Sequence, residues 1–137
     1  MKNEELYNQI KTVLKKDPKI LAAYVIGSTV TGRISRESDF DLVVVTRNRK
    51  VTNYDKVYEL IKHIQFPKNL DLSVVDKSSS PIFLYQTVSK GKKIYEKQKS
   101  LVDNFEAFAL HNYYDTAHIR NIYHSHLREK LSTHANR

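Results

Sequence analysis

Gly27-Ser28-Thr29-Val30-Thr31-Gly32-Arg33-Ile34-Ser35-Arg36-Glu37-Ser38-Asp39-Phe40-Asp41-Leu42 follows directly on the apolar run Ile20-Leu21-Ala22-Ala23-Tyr24-Val25-Ile26. The run has the length and branching of a buried strand, and it stops where Gly27 removes the Cβ. A strand that feeds a glycine turn leaves free backbone N–H groups at the start of whatever follows. If Ser28 to Thr31 open a short helix, those groups and the Ser28 hydroxyl face a common point, which suits an anion of phosphate size.

The stretch then enters a second strand, Asp39 to Thr46, in which Phe40, Leu42 and Val44 alternate with Asp39, Asp41 and Val43. Asp39 and Asp41 therefore share a face, with Cα atoms about 6.5 to 7 Å apart. That separation lets two carboxylates converge on hard divalent cations. Mg²⁺ suits the set best, because it accepts a few carboxylates together with phosphate oxygens and retained water. Turn and carboxylate pair together read as a site for a nucleoside triphosphate and its metal ions.

A third carboxylate lies in Asn69-Leu70-Asp71-Leu72-Ser73-Val74-Val75. Leu70, Leu72 and Val74 fall on one face of this predicted strand and Asp71 and Ser73 on the other, repeating the alternation around Asp41. If the two strands are neighbours, Asp39, Asp41 and Asp71 meet. Asp76 is a rival for the third place, but its surroundings read as a loop.

Gly27-Ser28, Asp39-x-Asp41 and the later strand residue Asp71 resemble the signature of the minimal nucleotidyltransferases (MNT) of the DNA polymerase beta superfamily. The resemblance covers roughly residues 20 to 96, and Gly91-Lys92-Lys93-Ile94-Tyr95-Glu96 is similar to the segment that closes many such domains. The tail to Arg137 looks like the helical extension of the antitoxin in HEPN/MNT toxin–antitoxin pairs. Many relatives carry arginine where this chain has Thr29 and Thr31, so Arg33 and Arg36 are the candidate nucleotide-binding substitutes beside Gly27 and Ser28.

The resemblance implies Asp39, Asp41 and Asp71 as catalytic and metal-binding residues, two Mg²⁺ ions as cofactors and ATP as substrate. It further implies transfer of AMP to a tyrosine hydroxyl of a separate HEPN ribonuclease toxin, held in a hetero-oligomer, with release of pyrophosphate. Two other readings stay open. One is an antitoxin that neutralises its partner by binding alone; the other is nucleotidyl transfer to RNA or to a small-molecule hydroxyl.

The remainder of the sequence bounds these readings. Its 137 residues give room for one structural domain, divided here into a nucleotidyltransferase part, residues 1–99, and a C-terminal helical extension, residues 100–137, packed on or beside it. The absence of cysteine excludes a disulfide framework, a thiolate metal site and a cysteine nucleophile. No apolar stretch is long enough for a signal sequence or a membrane span, which points to the cytoplasm. The net charge of +8 is carried partly by Arg47, Arg49 and Lys50 and by Lys90, Lys92, Lys93, Lys97 and Lys99. Without an RNA-reading aromatic motif, such runs read as solvated faces before nucleic-acid sites. The six histidines have no zinc-ligand spacing and read as surface residues.

Helical spacing is expected from an Asn3 cap through Leu6, Ile10, Val13 and Leu14, from Asn53 to Ile64, and from Pro81 to a closing Gly91. A short edge strand follows at Lys93 to Tyr95. Apolar positions Phe105, Phe108, Ala109 and Tyr113, then Ile119, Tyr123, Leu127 and Leu131, predict a helical tail bent near Tyr114-Asp115. Intramolecular packing is the expectation for this stripe, with contact to a partner protein as the alternative. The order of elements gives an α/β (α+β) nucleotidyltransferase fold: a small mixed sheet flanked by helices, with the helical extension at its end.

Overall fold

The computed structural model describes residues 2–26 and 39–135, with the side chains of Lys2 and of residues 132–135 left aside. Gly27, Ser28, Arg33, Arg36 and the helix expected at 28–31 lie outside the described residues. The described elements run α1 (Lys2–Leu14), β1 (Ile20–Ile26), β2 (Phe40–Thr46), α2 (Tyr54–Ile61), β3 (Leu70–Val75), α3 (Pro81–Lys90), β4 (Lys92–Glu96), α4 (Lys99–Asp115) and α5 (Ala117–Ala135). The four strands form one mixed sheet in the order β3-β2-β1-β4. β1 is antiparallel to both β2 and β4, whereas β2 and β3 run parallel, joined by the α2 crossover.

Each face of the sheet has its own core, and the alternation of the strands decides which residues enter which. Ala23 and Val25 of β1, Phe40, Leu42 and Val44 of β2 and Leu72 of β3 meet Leu6, Ile10 and Leu14 of α1 and Val57 and Ile61 of α2. On the opposite face Ala22, Tyr24, Val43, Val45 and Val75 meet Leu84 of α3 and Val102, Phe105 and Ala109 of α4. A helical layer on each side explains why β1 and β2 read as near-continuous apolar runs.

Local chemistry sets two of the helix starts. The Asn53 side chain accepts from the Lys56 N–H at 3.0 Å and caps α2, and the Ser80 hydroxyl accepts from Phe83 ahead of Pro81 in α3. α2 stops at Ile61, short of the expected Ile64, which is carried instead by a turn with its N–H on the Ile61 carbonyl. Ile64 still packs against the core, so its apolar spacing marked burial beyond the helix itself. Asn3 lies inside α1 and not at its cap, because the helix already starts at Lys2.

Gly91 closes α3 as expected, but with φ −78°, a backbone angle open to any residue. What demands glycine is space. A Cβ there would overlap the Thr87 carbonyl oxygen and lie 2.9 Å from Ile26 Cγ2 and 3.2 Å from Tyr24 Cβ. Close approach of the α3 terminus to β1 thus depends on the missing side chain. Gly91→Ala is expected to destabilise the fold by about 1–3 kcal/mol, as overpacking does. Urea unfolding checks it; an unchanged midpoint would show that the α3 terminus does not press on β1.

Candidate active site

Phe40 positions the acidic residues on either side of it. Its ring is fully buried, tilted against Phe66 at a centroid distance of 5.3 Å, and its N–H donates to the Asn69 carbonyl at 2.7 Å. With Phe40 and Leu42 committed to the α1/α2 core, strand alternation sends Asp41 to the other face. β3 repeats the pattern: Leu70 and Leu72 pack toward the same core, and Asp71 between them is exposed on the face of Asp41. The parallel register places Phe40 beside Leu70 and Asp41 beside Asp71. Two carboxylates therefore stand on adjacent strands, at the spacing of neighbouring chains.

They interact. The Asp41 carboxyl is pushed above the usual carboxylate range, first by burial, then by a side-chain hydrogen bond with Asp71, and then by the charges of Asp71 and Asp39. A hydrogen bond between two carboxyl groups requires a shared proton, and like charges so close favour keeping one. Asp39 is exposed just ahead of β2 and reaches Asp41 through its charge. On the other side Asp41 is paired with Ile26, the last residue of β1. The chain thus leaves β1 for the Gly27-Ser28 segment directly opposite Asp41.

Among the described residues, no three acidic, histidine or cysteine side chains stand ready as a metal cage. The arrangement is a close pair with a third acid in electrostatic range. Two carboxylates suit Mg²⁺, which takes its remaining ligands from phosphate oxygens and water, and a cation here would offset the repulsion that adds to burial in raising Asp41.

Asp76 is at the other end of β3 and does a different job. Its carboxylate accepts from the Arg49 N–H at 2.8 Å, the Ser78 N–H at 2.8 Å and the Ser78 hydroxyl at 2.5 Å, while its own N–H donates to Ser79 Oγ at 3.0 Å. Burial alone would raise this carboxyl, but the hydrogen bonds from Ser78 and Arg49 outweigh it and hold it below the usual range. Asp76 is a buried turn-builder joining β3 to the loop after β2.

The lysines around β4 are engaged within the chain. Lys93 sits between Glu96 and Glu106, each at 3.2 Å, Lys99 pairs with Asp103 at 3.0 Å, Lys97 donates to the Pro18 carbonyl, and Lys92 lies over the Tyr7 ring. Burial works against the Lys93 charge, but hydrogen bonds to Glu96 and Glu106 raise its pKa on balance. Sequence reasoning missed a neighbour of this cluster: the buried Tyr24 hydroxyl donates to Glu106 Oε2 at 2.8 Å, pinning α4 to β1. Burial, then the Glu106 bond, push that phenol far above its ordinary range. A tyrosine in an apolar strand gives no sign of such a partner 82 residues away. His63, His111, His118, His124 and His126 are placed at or near the surface, as their spacing predicts.

A protein family described as polymerase beta nucleotidyltransferase matches residues 8–100, the segment from α1 through the carboxylate strands to the start of α4. The chain belongs to the polymerase beta nucleotidyltransferase family. No curated protein sequence matches it. Among solved structures, a toxin–antitoxin complex with AMP-PNP aligns with TM-score 0.65 and 22% identity, over 91% of this chain and 98% of that one. A complex of tri-AMPylated Shewanella oneidensis HEPN toxin with MNT antitoxin aligns with TM-score 0.63 and 19% identity, over 90% and 97%. An MntA toxin–antitoxin variant gives TM-score 0.65 and 20% identity, over 91% and 98%. At such identities these likenesses establish the nucleotidyltransferase fold. Among the described residues no helix is long and apolar enough to cross a membrane.

The raised Asp41 carboxyl has a measurable consequence. A group whose folded pKa exceeds its unfolded value holds more protons when folded, so the metal-free nucleotidyltransferase loses stability as pH rises through that folded pKa. At neutral pH the charged pair is then a liability. Asp41→Asn is expected to raise the melting temperature by a few degrees in the presence of a chelator, and to abolish any stabilisation by Mg²⁺ seen with the wild type. Differential scanning calorimetry with and without Mg²⁺ checks both halves; an Asn variant that melts lower under chelation would contradict the repulsion.

Proposed function

We propose that this chain is a Mg²⁺-dependent protein adenylyltransferase that acts as the antitoxin of a HEPN/MNT pair in the cytoplasm. In this reading it transfers AMP from ATP to a tyrosine hydroxyl of its cognate HEPN ribonuclease toxin and so silences it. The observation that carries the reading is the register of Asp41 with Asp71 at the point where β1 delivers the Gly27-Ser28 segment. Support also comes from the solved relatives, one holding AMP-PNP and another a tri-AMPylated HEPN toxin, each in its own complex.

Gly27 and Ser28 are assigned to the β- and γ-phosphates through backbone N–H groups and the hydroxyl, with Arg33 and Arg36 as further phosphate contacts. Asp39 and Asp41 would hold the two metal ions, and Asp71 would complete the set on the acceptor side. When bound, the ions neutralise triphosphate charge and lower the pKa of the attacking hydroxyl. The tyrosine oxygen forms a bond to the α-phosphorus as the bond to the α–β bridging oxygen breaks. Pyrophosphate departs, and the hydroxyl proton passes to the carboxylate set, where Asp71 is the assigned acceptor. Because Asp41 of the metal-free chain holds its proton more readily than an ordinary carboxyl, protons compete with the metal there, and the apparent Mg²⁺ affinity measured by calorimetry is expected to fall on acidification.

Incubation with ATP labelled at the α-phosphate, Mg²⁺ and the product of the neighbouring gene tests the reading. Label is expected on the partner, with Asp39→Asn/Asp41→Asn slowing transfer by roughly 100-fold or more, the scale on which preorganised electrostatic stabilisation is lost. Undiminished transfer by that variant would refute the metal assignment. A wild type that binds and inhibits the partner without labelling it would establish neutralisation by binding alone.

A further inference from the structure

Among the described residues, helix α5 is the part that the two cores leave unexplained. Every residue from Asn121 to Leu131 is exposed, including Ile122 at 66%, Tyr123 at 62% and Leu131 at 67%, with Ile119 at 57% just before them. The preceding helix behaves differently: Val102, Phe105 and Ala109 of α4 are buried against the sheet. The stripe that runs continuously in the sequence therefore divides at Thr116, its first half intramolecular and its second half turned to solvent.

The division is built, not frayed. Thr116 ends α4 with its hydroxyl on the Asn112 carbonyl at 2.8 Å. Arg120 donates to Thr116 Oγ1 at 2.6 Å and to the Tyr113 carbonyl at 2.8 Å, with its guanidinium over the Tyr113 ring at 3.9 Å. Tyr113 in turn stacks on Tyr85 of α3 at 3.9 Å. α5 is thus aimed from a fixed bend away from the sheet.

A helix with this content has little reason to stand alone. Isolated helices are marginal in water, and His118, Asn121, Tyr123, His124, Ser125 and His126 are middling to poor helix formers. Ile119, Tyr123, Leu127 and Leu131 recur every four residues and form one ridge, with Ile122 beside it. Such an i±4 row is the surface that enters the groove of another helix. Arg128 and Lys130 are exposed beside this ridge, and the chain as a whole carries +8, so a second copy would set like charge against like.

We propose that the Ile119–Leu131 face of α5 docks a helical partner protein whose apolar groove is rimmed by carboxylates. The identification of that partner with the toxin rests on the function proposed above; the surface does not. α5 anchors the substrate protein, while the carboxylates of β2 and β3 act on it. Affinity for the partner then depends on α5, and transfer at saturating partner does not.

The full chain carrying Ile119→Glu/Leu127→Glu tests this against the neighbouring-gene product, by calorimetric affinity and by transfer of α-labelled AMP. The expected result is an unchanged melting temperature and a Kd raised on the order of 100-fold, as for loss of two central anchors. Arg128→Glu/Lys130→Glu should weaken binding less, and by an amount that shrinks at high salt. Binding and transfer that survive the Ile119/Leu127 changes intact would overturn the proposal. So would a wild type that forms no complex with the partner, dimerises through this face, or sediments with phosphatidylserine vesicles through it. A wild type that binds through α5 but transfers no label would retain the docking surface and remove the adenylylation reading.

Discussion

The parallel pairing of β2 with β3 is the constraint on which the rest of the molecule depends. Asp41 meets Asp71 because Phe40, Leu42 and Val44 must enter the α1/α2 core and because Leu70 and Leu72 must do the same one strand away. A slip of one residue in either strand would expose that apolar set and bury an acid among α1 and α2, so both cores resist it. The bond from the Phe40 N–H to the Asn69 carbonyl fastens the register at the end where the carboxylates stand. The fold thereby partly buries Asp41 and sets it beside a group that repels it, and its carboxyl is raised first by that burial and then by its acidic neighbours. In a nucleotidyltransferase the conflict has a use, since a site that disfavours its own charge is ready to favour a cation.

The two faces of the sheet divide the remaining work. α1 and α2 cover the face that holds the acidic strands in register. α3 and α4 cover the face that carries the acids, and α4 is tied to β1 through Tyr24 and Glu106. Gly91 lets the end of α3 come down on Ile26 and Tyr24, next to the place where β1 gives way to the Gly27-Ser28 segment. Among the described helices, α5 alone stands outside this layering, turned away at a bend that Thr116, Arg120 and Tyr113 fix.

What was legible in the sequence follows from which signals are local. Ile20–Ile26 and the alternation around Asp41 and Asp71 gave strands and facing acids, because a buried strand must show its period in the chain itself. Asn53 and Pro81 announced two helix starts for the same reason. The errors arose where distant contacts decide. Ile64 kept helical spacing beyond the end of α2 because the core wants its side chain and not its helix. Asp76 is the loop acid it looked like, but its hold on the Arg49 amide left no mark in the sequence, since that amide comes from another loop. The bend expected near Tyr114-Asp115 falls at Thr116, but which half of the aromatic stripe packs inward was invisible, because the two halves are equally apolar in sequence and differ only in what lies opposite them. Gly27, Ser28, Arg33 and Arg36 remain readings from the sequence, outside the described residues.

The coupling of Asp41 to Asp71 is open to direct measurement by carbon NMR, following the Asp41 carboxyl through a pH titration of the metal-free chain and of its Asp71→Asn variant. Titration above the ordinary carboxylate range is expected in the wild type, with a shift to lower pH once the substitution removes the neighbouring charge and offers an amide N–H donor in its place. An Asp41 that titrates like a free carboxyl, or that ignores the change at position 71, would contradict the convergence of the two strands on one site.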